Sequence, residues 1–278
     1  MNSVVSRIKS MYWSVCAGME DPRKSYYTLL KKQNRYFARL AIQGMKWRGF
    51  SPEPIHPKHL FNCPGHSYLA PFLKPGIHFL DVGSGSGSDC IKALQEGASV
   101  VVGIEYDSEK IALSQARAKK LGLVLTILPL DLEKADYPFA DKSFDLINLS
   151  DVLEHLNNRK GCLTELARIK KKAAPILISI PNADTRWKKQ LRRAGVDSRD
   201  DGDHKIEYSQ ETIQAEIQQA GLQIKSDLTP IIPSFPWNGV IALSAVLSPA
   251  LYRRLQQWKY AYAKRHPEES IGWSFWVV

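Results

Sequence analysis

A chain of 278 residues is long enough to bury a full hydrophobic core, as one α/β domain with extensions. Its 44% apolar, 10% aromatic and 24% charged residues exclude a disordered chain. Four scattered cysteines, Cys16, Cys63, Cys90 and Cys162, exclude a zinc knuckle and a disulfide framework and fit a reducing cytoplasm. The net charge of +10 is concentrated at one end, since residues 1–75 hold 12 Lys or Arg against 3 Asp or Glu. A solvated basic helical face accounts for that excess; attraction to anionic lipid, nucleic acid or a phosphorylated substrate is the functional alternative.

In chain order, Met1 to Gly18 lacks the apolar run and cleavage site of a secretory signal. From Lys24 to Trp47, Tyr26, Tyr27, Leu29, Leu30, Phe37, Leu40, Ala41 and Met45 recur at helical spacing and predict an amphipathic helix. Six prolines between Ser51 and Pro75 predict an irregular connector, so residues 1–75 form a basic helical extension and 76–278 the main domain. Short apolar runs then alternate with helical segments, the pattern of a parallel sheet with crossover helices. Strands are expected at Ile77–Val82, Ser99–Glu105, Leu123–Leu128, Phe144–Leu149, Pro175–Ile180, Leu222–Leu228 and Gly272–Val278. Together they predict a three-layer Rossmann-like α/β fold whose seven-stranded sheet is mostly parallel, with an antiparallel last strand. Residues 229–270 form an insertion with a proline-rich start, the apolar run Trp237–Leu247 and a basic aromatic segment from Tyr252 to Arg265. That apolar run is far short of the roughly 20 residues a membrane-spanning helix needs.

Phe79-Leu80-Asp81-Val82-Gly83-Ser84-Gly85-Ser86-Gly87 ends a buried strand in a glycine-rich turn before a helix, where backbone can approach a ligand closely. Such a turn alone is weak evidence, because dinucleotide enzymes share it. Its context is more specific. Asp81 precedes the first glycine, Glu105 closes the second strand where it can accept from both ribose hydroxyls, and Asp131 follows the third. Asp131 suits an adenine amino group and the Leu132 amide a ring nitrogen, so the set points to an adenosine ligand.

These motifs resemble those of the class I S-adenosylmethionine-dependent methyltransferases, over about 200 residues from Ile77 onward. The resemblance implies that Asp81, Gly83, Ser84, Gly85 and Gly87 hold the amino acid part of S-adenosylmethionine, Glu105 with Tyr106 the ribose side, and Asp131 with Leu132 the adenine. Ser84 stands where many relatives have cysteine. Ser150-Asp151-Val152-Leu153-Glu154-His155 is similar to the recurrent "VLEH" run beside the cofactor, and Ser150 is carried over with it. Outside the core, His56-Pro57-Lys58-His59-Leu60, His66, Asp184-Thr185-Arg186-Trp187 and Asp203-His204-Lys205-Ile206-Glu207-Tyr208 resemble bacterial methyltransferases associated with surface glycan or lipid assembly.

A sulfonium methyl is already activated, so an oxygen acceptor chiefly needs alignment and a base near neutral pKa. His155 and His204 are the candidate catalytic residues. No Asn-Pro-Pro-aromatic or Pro-Cys run follows the fourth strand, which disfavours base-modifying chemistry, and the sequence marks no second oxygen ligand to join Asp151 on a metal, so no metal is assigned. The expected acceptor is a small molecule, a glycan or a lipid-linked intermediate, in the cytoplasm or at the inner membrane face. Trp237, Val240, Ile241, Leu243, Val246 and Leu247, with Arg253, Arg254, Lys259, Lys264 and Arg265 among Tyr252, Trp258, Tyr260 and Tyr262, suit a hydrophobic substrate cap or an interfacial segment. Two alternatives stand beside this reading. One is an RNA methyltransferase whose N-terminal helix tracks phosphates; the other is a non-catalytic cofactor- or partner-binding module.

Overall fold

The computed structural model of the chain describes residues 10–47, 69–134, 136–226, 229–233, 243–244 and 246–278. Its residues divide into two compact units. The larger comprises Ser67–Asn182, Asp200–Thr229 and Gly272–Val278; the smaller comprises Met1–His66, Ala183–Arg199 and Pro230–Ile271.

The sheet carries the sites described below. Its strands are β1 (His78–Val82), β2 (Val100–Glu105), β3 (Thr126–Pro129), β4 (Leu146–Ser150), β5 (Ile176–Pro181), β6 (Thr229–Pro233) and β7 (Ser270–Val277). They lie in the order β3-β2-β1-β4-β5-β7-β6. The pairings from β3 through β5 are all parallel, and β7 runs antiparallel to β5, with Ile178 opposite Phe275. Strands buried on both faces need apolar residues at every position, which is why β4 and β5 read as near-continuous apolar runs. Along β1 the side chains alternate between two cores. Leu80 and Val82 join a cluster with Ile147, Ile178, Leu163 and Ile213, while Phe79 joins one with Cys90, Val101, Ala118 and Leu177.

Helices cover both faces. Those in the larger unit are α2 (Ser88–Gln95), α3 (Ser108–Lys120), α4 (Arg159–Ile169) and α6 (Gln210–Gln219). Each start has a local cause where a side chain can reach the free N–H groups. Asp107 accepts from Glu109 and Lys110 at the head of α3, and Asn158 accepts from Gly161 at the head of α4. Ser209 and Thr212 form a reciprocal cap on α6.

Two expectations are corrected here. The sixth strand is only in part at Leu222–Leu228: among the described residues there, Gln223 exchanges backbone bonds with Val278, Lys225 N donates to Trp276 O and Ile224 bridges to Val277, while β6 follows at Thr229–Pro233, inside the segment read as insertion. Residues 1–75 are also not a unit by themselves. In the smaller unit, helix α1 (Pro22–Trp47) meets helix α5 (Arg186–Arg193) through Tyr27 and Trp187, whose ring centroids are 5.7 Å apart. Lys31 Nζ donates to the carbonyls of Asp197 at 2.6 Å and Arg199 at 2.9 Å. Such contacts between distant stretches cannot be read from local periodicity. Helix α7 (Pro249–Arg265) belongs to the same unit and supplies the helix expected of the basic aromatic segment. Residues 51–68, with His56, His59 and His66, and residues 234–242, with Trp237, Val240 and Ile241, lie outside the described residues.

Candidate active site

The carboxyl ends of β1, β2 and β3 bring the expected cofactor residues to one edge of the sheet. Asp81 is buried at the end of β1, where Asn148 Nδ2 from β4 donates to its Oδ1 at 2.8 Å and Cys90 Sγ lies 3.5 Å from Oδ2. Burial, followed by the neighbouring Asp89, pushes the Asp81 carboxyl well above its ordinary range. A cation placed against this acid would offset both causes.

Gly83, Gly85 and Gly87 all have positive φ, at 71°, 53° and 73°. Their surroundings differ. A Cβ on Gly83 would overlap the Val152 side chain, and one on Gly87 would lie 2.7 Å from Ser114 Cβ, whereas one on Gly85 would meet no described residue within 4 Å. Gly87 thus lets α2 begin against α3, and Gly85 faces open space at the ligand edge. Arg117 fixes the turn from α3, donating to Ser86 O at 2.6 Å and Ser86 Oγ at 2.9 Å. The Ser84 side chain turns inward against Gly103, so only its backbone belongs to the turn's ligand face.

Glu105 is buried and already engaged. Its Oε2 accepts from Gly85 N at 3.0 Å, and its Oε1 accepts from Tyr106 N at 2.9 Å and Asp107 N at 3.0 Å. The expected ribose ligand therefore also pins the glycine turn to β2. Tyr106 is 75% exposed beside it, available as a flat surface for a purine. Asp131 is exposed after β3 and accepts from Glu133 N at 3.0 Å. The Leu132 side chain is in the core, leaving its backbone for a ligand. Ser150 is half-buried at the end of β4.

These residues fit an adenosine-type cofactor carrying an ammonium group. Acidic acceptors at three strand ends suit an ammonium, a ribose diol and an amino group. Asp89 occupies the first turn of α2, where a dinucleotide's pyrophosphate would need positive potential. Open space at Gly85 admits backbone contact with a ligand.

The two candidate catalytic histidines come together although 49 positions separate them in the chain. His155 ends a short 3-10 turn (Leu153–His155) after β4, and His204 sits in the segment before α6. Their ring centroids are 4.7 Å apart at 81°. Backbone bonds from Lys205 N at 2.7 Å and Ile206 N at 3.3 Å to Glu154 O bind the two segments. Buried Tyr208 anchors the far end through its N–H to Pro181 O at 3.2 Å. His155 Nδ1 faces Asp203 at 3.0 Å, and His204 Nδ1 faces Glu207 at 3.2 Å. Burial opposes protonation of His204, but the carboxylates of Glu207 and Glu154 outweigh it and leave the imidazole more basic than usual.

Sequence reasoning missed the roles of four residues. Asn148 is a buried polar residue in an otherwise apolar strand, a departure that marks it as a partner of Asp81. Glu154 is 2% exposed, and one of its oxygens lies within 4.8 Å of a nitrogen from each histidine. Asp203 and Glu207 orient the rings, and the acidic spacing around His204 was the available signal. Asp151 follows directly on β4. It takes a left-handed backbone with φ 54° and bonds through its N–H to Ser179 O at 2.9 Å.

A Rossmann-like sheet with a glycine-rich turn after β1 and carboxylates closing the next strands defines an S-adenosylmethionine-binding domain. The chain belongs to the methyltransferase domain family, which matches residues 73–231, and S-adenosylmethionine is the cofactor of that domain. Among curated relatives, the arsenite methyltransferase of Aquipseudomonas alcaligenes is 31% identical over 150 residues, covering 51% of this chain and 43% of that protein. The norajmaline N-methyltransferase of Rauvolfia serpentina is 30% identical over 112 residues, covering 40% and 38%. The chain thus spans less than half the length of these relatives. Among solved structures, a methyltransferase from Mesorhizobium loti superposes with a TM-score of 0.50 at 17% identity, covering 74% of this chain and 92% of that one. The cyclase SpnF superposes with a TM-score of 0.55 at 15% identity, covering 89% and 94%. At such identities the superpositions establish the fold alone.

Proposed function

We propose that this protein transfers the methyl group of S-adenosylmethionine to an oxygen of a small-molecule, glycan or lipid-linked acceptor. The observation that carries the choice of oxygen is the pairing of His155 with His204 beside buried Glu154, after the strand that neighbours β1. A hydroxyl must lose its proton as it is methylated, and two imidazoles with a carboxylate provide both an orienting hydrogen bond and a destination for that proton. The bound cofactor supplies an activated methyl that needs no further electrophilic assistance. The protein's own tasks are then to hold and align. Glu105 and Asp131 hold the ribose and adenine ends, Asp81 and the glycine turn hold the amino acid end, and the histidine cluster orients the acceptor.

The lipid-linked acceptor draws support from α7. Arg253, Arg254, Lys264 and Arg265 are exposed there, as are Leu251 at 46% and Trp258 at 45%. Leu243 and Leu247, just before α7, are each 59% exposed. No described helix is long and apolar enough to cross a membrane. A basic helix with exposed apolar and aromatic side chains instead suits the surface of an anionic bilayer, where each well-placed cation contributes about 1 kcal/mol.

The test is incubation with methyl-labelled S-adenosylmethionine and fractionated cell extract. Label is expected as a methyl ether or ester in the lipid or glycan fraction, and its loss in His155→Ala with cofactor binding retained. Label confined to RNA would favour a nucleic acid substrate, and retention of cofactor without transfer to any fraction would favour a binding module. In co-sedimentation, vesicles containing anionic lipid are expected to retain the protein and release it as salt rises. Indifference to such vesicles, with transfer only to water-soluble acceptors, would remove the lipid-linked reading.

A further inference from the structure

We propose that Glu154, His155 and His204 form a binding site for a divalent transition-metal ion of the zinc, cobalt or iron(II) type. One oxygen of Glu154 and one nitrogen of each histidine lie within 4.8 Å of one another. Donors bound tetrahedrally to one ion at about 2.1 Å lie about 3.4 Å apart, so the three groups must draw together to hold it.

Three features distinguish this cluster from a chance meeting of polar groups. The first is the outer carboxylates. His155 Nδ1 faces Asp203 at 3.0 Å and His204 Nδ1 faces Glu207 at 3.2 Å. With Nδ1 donating to a carboxylate, the lone pair of each ring is on Nε2, and the ring becomes a better ligand whose orientation is fixed. The second is the frame. Glu154 and His155 are neighbours on one short turn, and the His204 segment is bonded to that turn through Lys205 N and Ile206 N on Glu154 O. Glu207 is itself fixed, accepting from Asp200 N at 2.7 Å. The third is burial: Glu154 is 2% and His204 6% exposed, while His155 keeps partial access to solvent. A metal ion neutralises the buried carboxylate and has a route by which to enter.

The donor set selects the kind of ion. Two imidazoles and one carboxylate favour borderline first-row metals over magnesium or calcium, which prefer oxygen alone. Three protein ligands leave at least one coordination position for water or an oxygen of another molecule. With the ion in place, an acceptor hydroxyl would meet the metal at this cluster, and the imidazoles, their lone pairs then engaged, would orient that site and not take the hydroxyl's proton.

Metal binding is read without reference to methyl transfer, so the two proposals fail separately. The full chain, stripped with a chelator, is titrated calorimetrically with Zn²⁺ and followed by visible absorption with Co²⁺. One equivalent of each is expected to bind, with Co²⁺ giving d–d bands of a nitrogen and oxygen site. His155→Ala and Glu154→Gln are expected to weaken Zn²⁺ at least about 100-fold, and Asp203→Asn about 10-fold. Asp203 is 70% exposed, so its replacement tests the outer carboxylate with little effect on folding. His266→Ala, which alters a histidine in the smaller unit, should change nothing. Absence of stoichiometric uptake, or uptake equal to wild type in folded His155→Ala and Glu154→Gln, would overturn the site.

Discussion

Gly85→Ala is expected to leave the fold nearly intact and abolish tight cofactor binding, while Gly87→Ala is expected to lose both. Both residues have positive φ, 53° and 73°, which costs an L side chain about 1 to 2 kcal/mol. The surroundings separate them. At Gly87 the new Cβ would also lie 2.7 Å from Ser114 Cβ and 3.1 Å from Leu125 Cδ2, so α3 must shift, at about 1 to 3 kcal/mol more. The sum, about 2 to 5 kcal/mol, is a large part of the roughly 5 to 15 kcal/mol that holds a domain together. At Gly85 the Cβ meets no described residue within 4 Å and instead occupies the side of the turn expected to face the ligand. A lost close approach there is expected to weaken S-adenosylmethionine by roughly 30-fold or more, about 2 kcal/mol. Urea denaturation and calorimetric titration of both variants check this. Equal loss of stability in the two would mean that Gly85 is as constrained by the protein as Gly87.

The legible parts of this molecule are those whose causes are local. The β1 strand and turn are written in nine consecutive residues, and β4 and β5 announce themselves because both faces of a central parallel strand must be apolar. The direction of β7 followed from its place after a long insertion. What escaped depends on residues far apart in the chain. The 1–75 boundary failed because Lys31 finds its acceptors at Asp197 and Arg199, more than 160 positions away. The sixth strand was read too early because Gln223 to Lys225 do bond to the end of β7, but β6 lies at Thr229–Pro233, and a local apolar run does not mark where such pairing stops. His155 and His204 were each singled out, but that they share a cluster with Glu154 is set by backbone bonds between two loops.

Glu105→Ala is expected to lower cofactor affinity by roughly 10- to 150-fold, about 1.5 to 3 kcal/mol, and to destabilise the protein as well. A charged acceptor for the ribose hydroxyls accounts for the first effect. The second follows from geometry. The carboxylate accepts from Gly85 N, Tyr106 N and Asp107 N, and truncation leaves those donors seeking water at a site only 5% exposed. Each donor left buried and unsatisfied costs about 1 to 3 kcal/mol, although the edge position lets water recover part of that. A carboxylate has about four acceptor positions, and three are used inside the protein. The ribose must therefore share an oxygen already bonded to the turn, which couples cofactor binding to the shape of the Gly85 backbone. Glu105→Gln separates charge from shape. Its single amide oxygen can serve Gly85 on one side or Tyr106 and Asp107 on the other, but not both, and its NH₂ then faces a donor. The glutamine variant should consequently resemble the alanine variant in affinity despite its near-identical volume. Titration with S-adenosylmethionine, paired with urea denaturation of the same samples, distinguishes the outcomes. A glutamine variant with wild-type affinity would mean that neither the charge nor the three-way hydrogen bonding of Glu105 contributes to holding the cofactor.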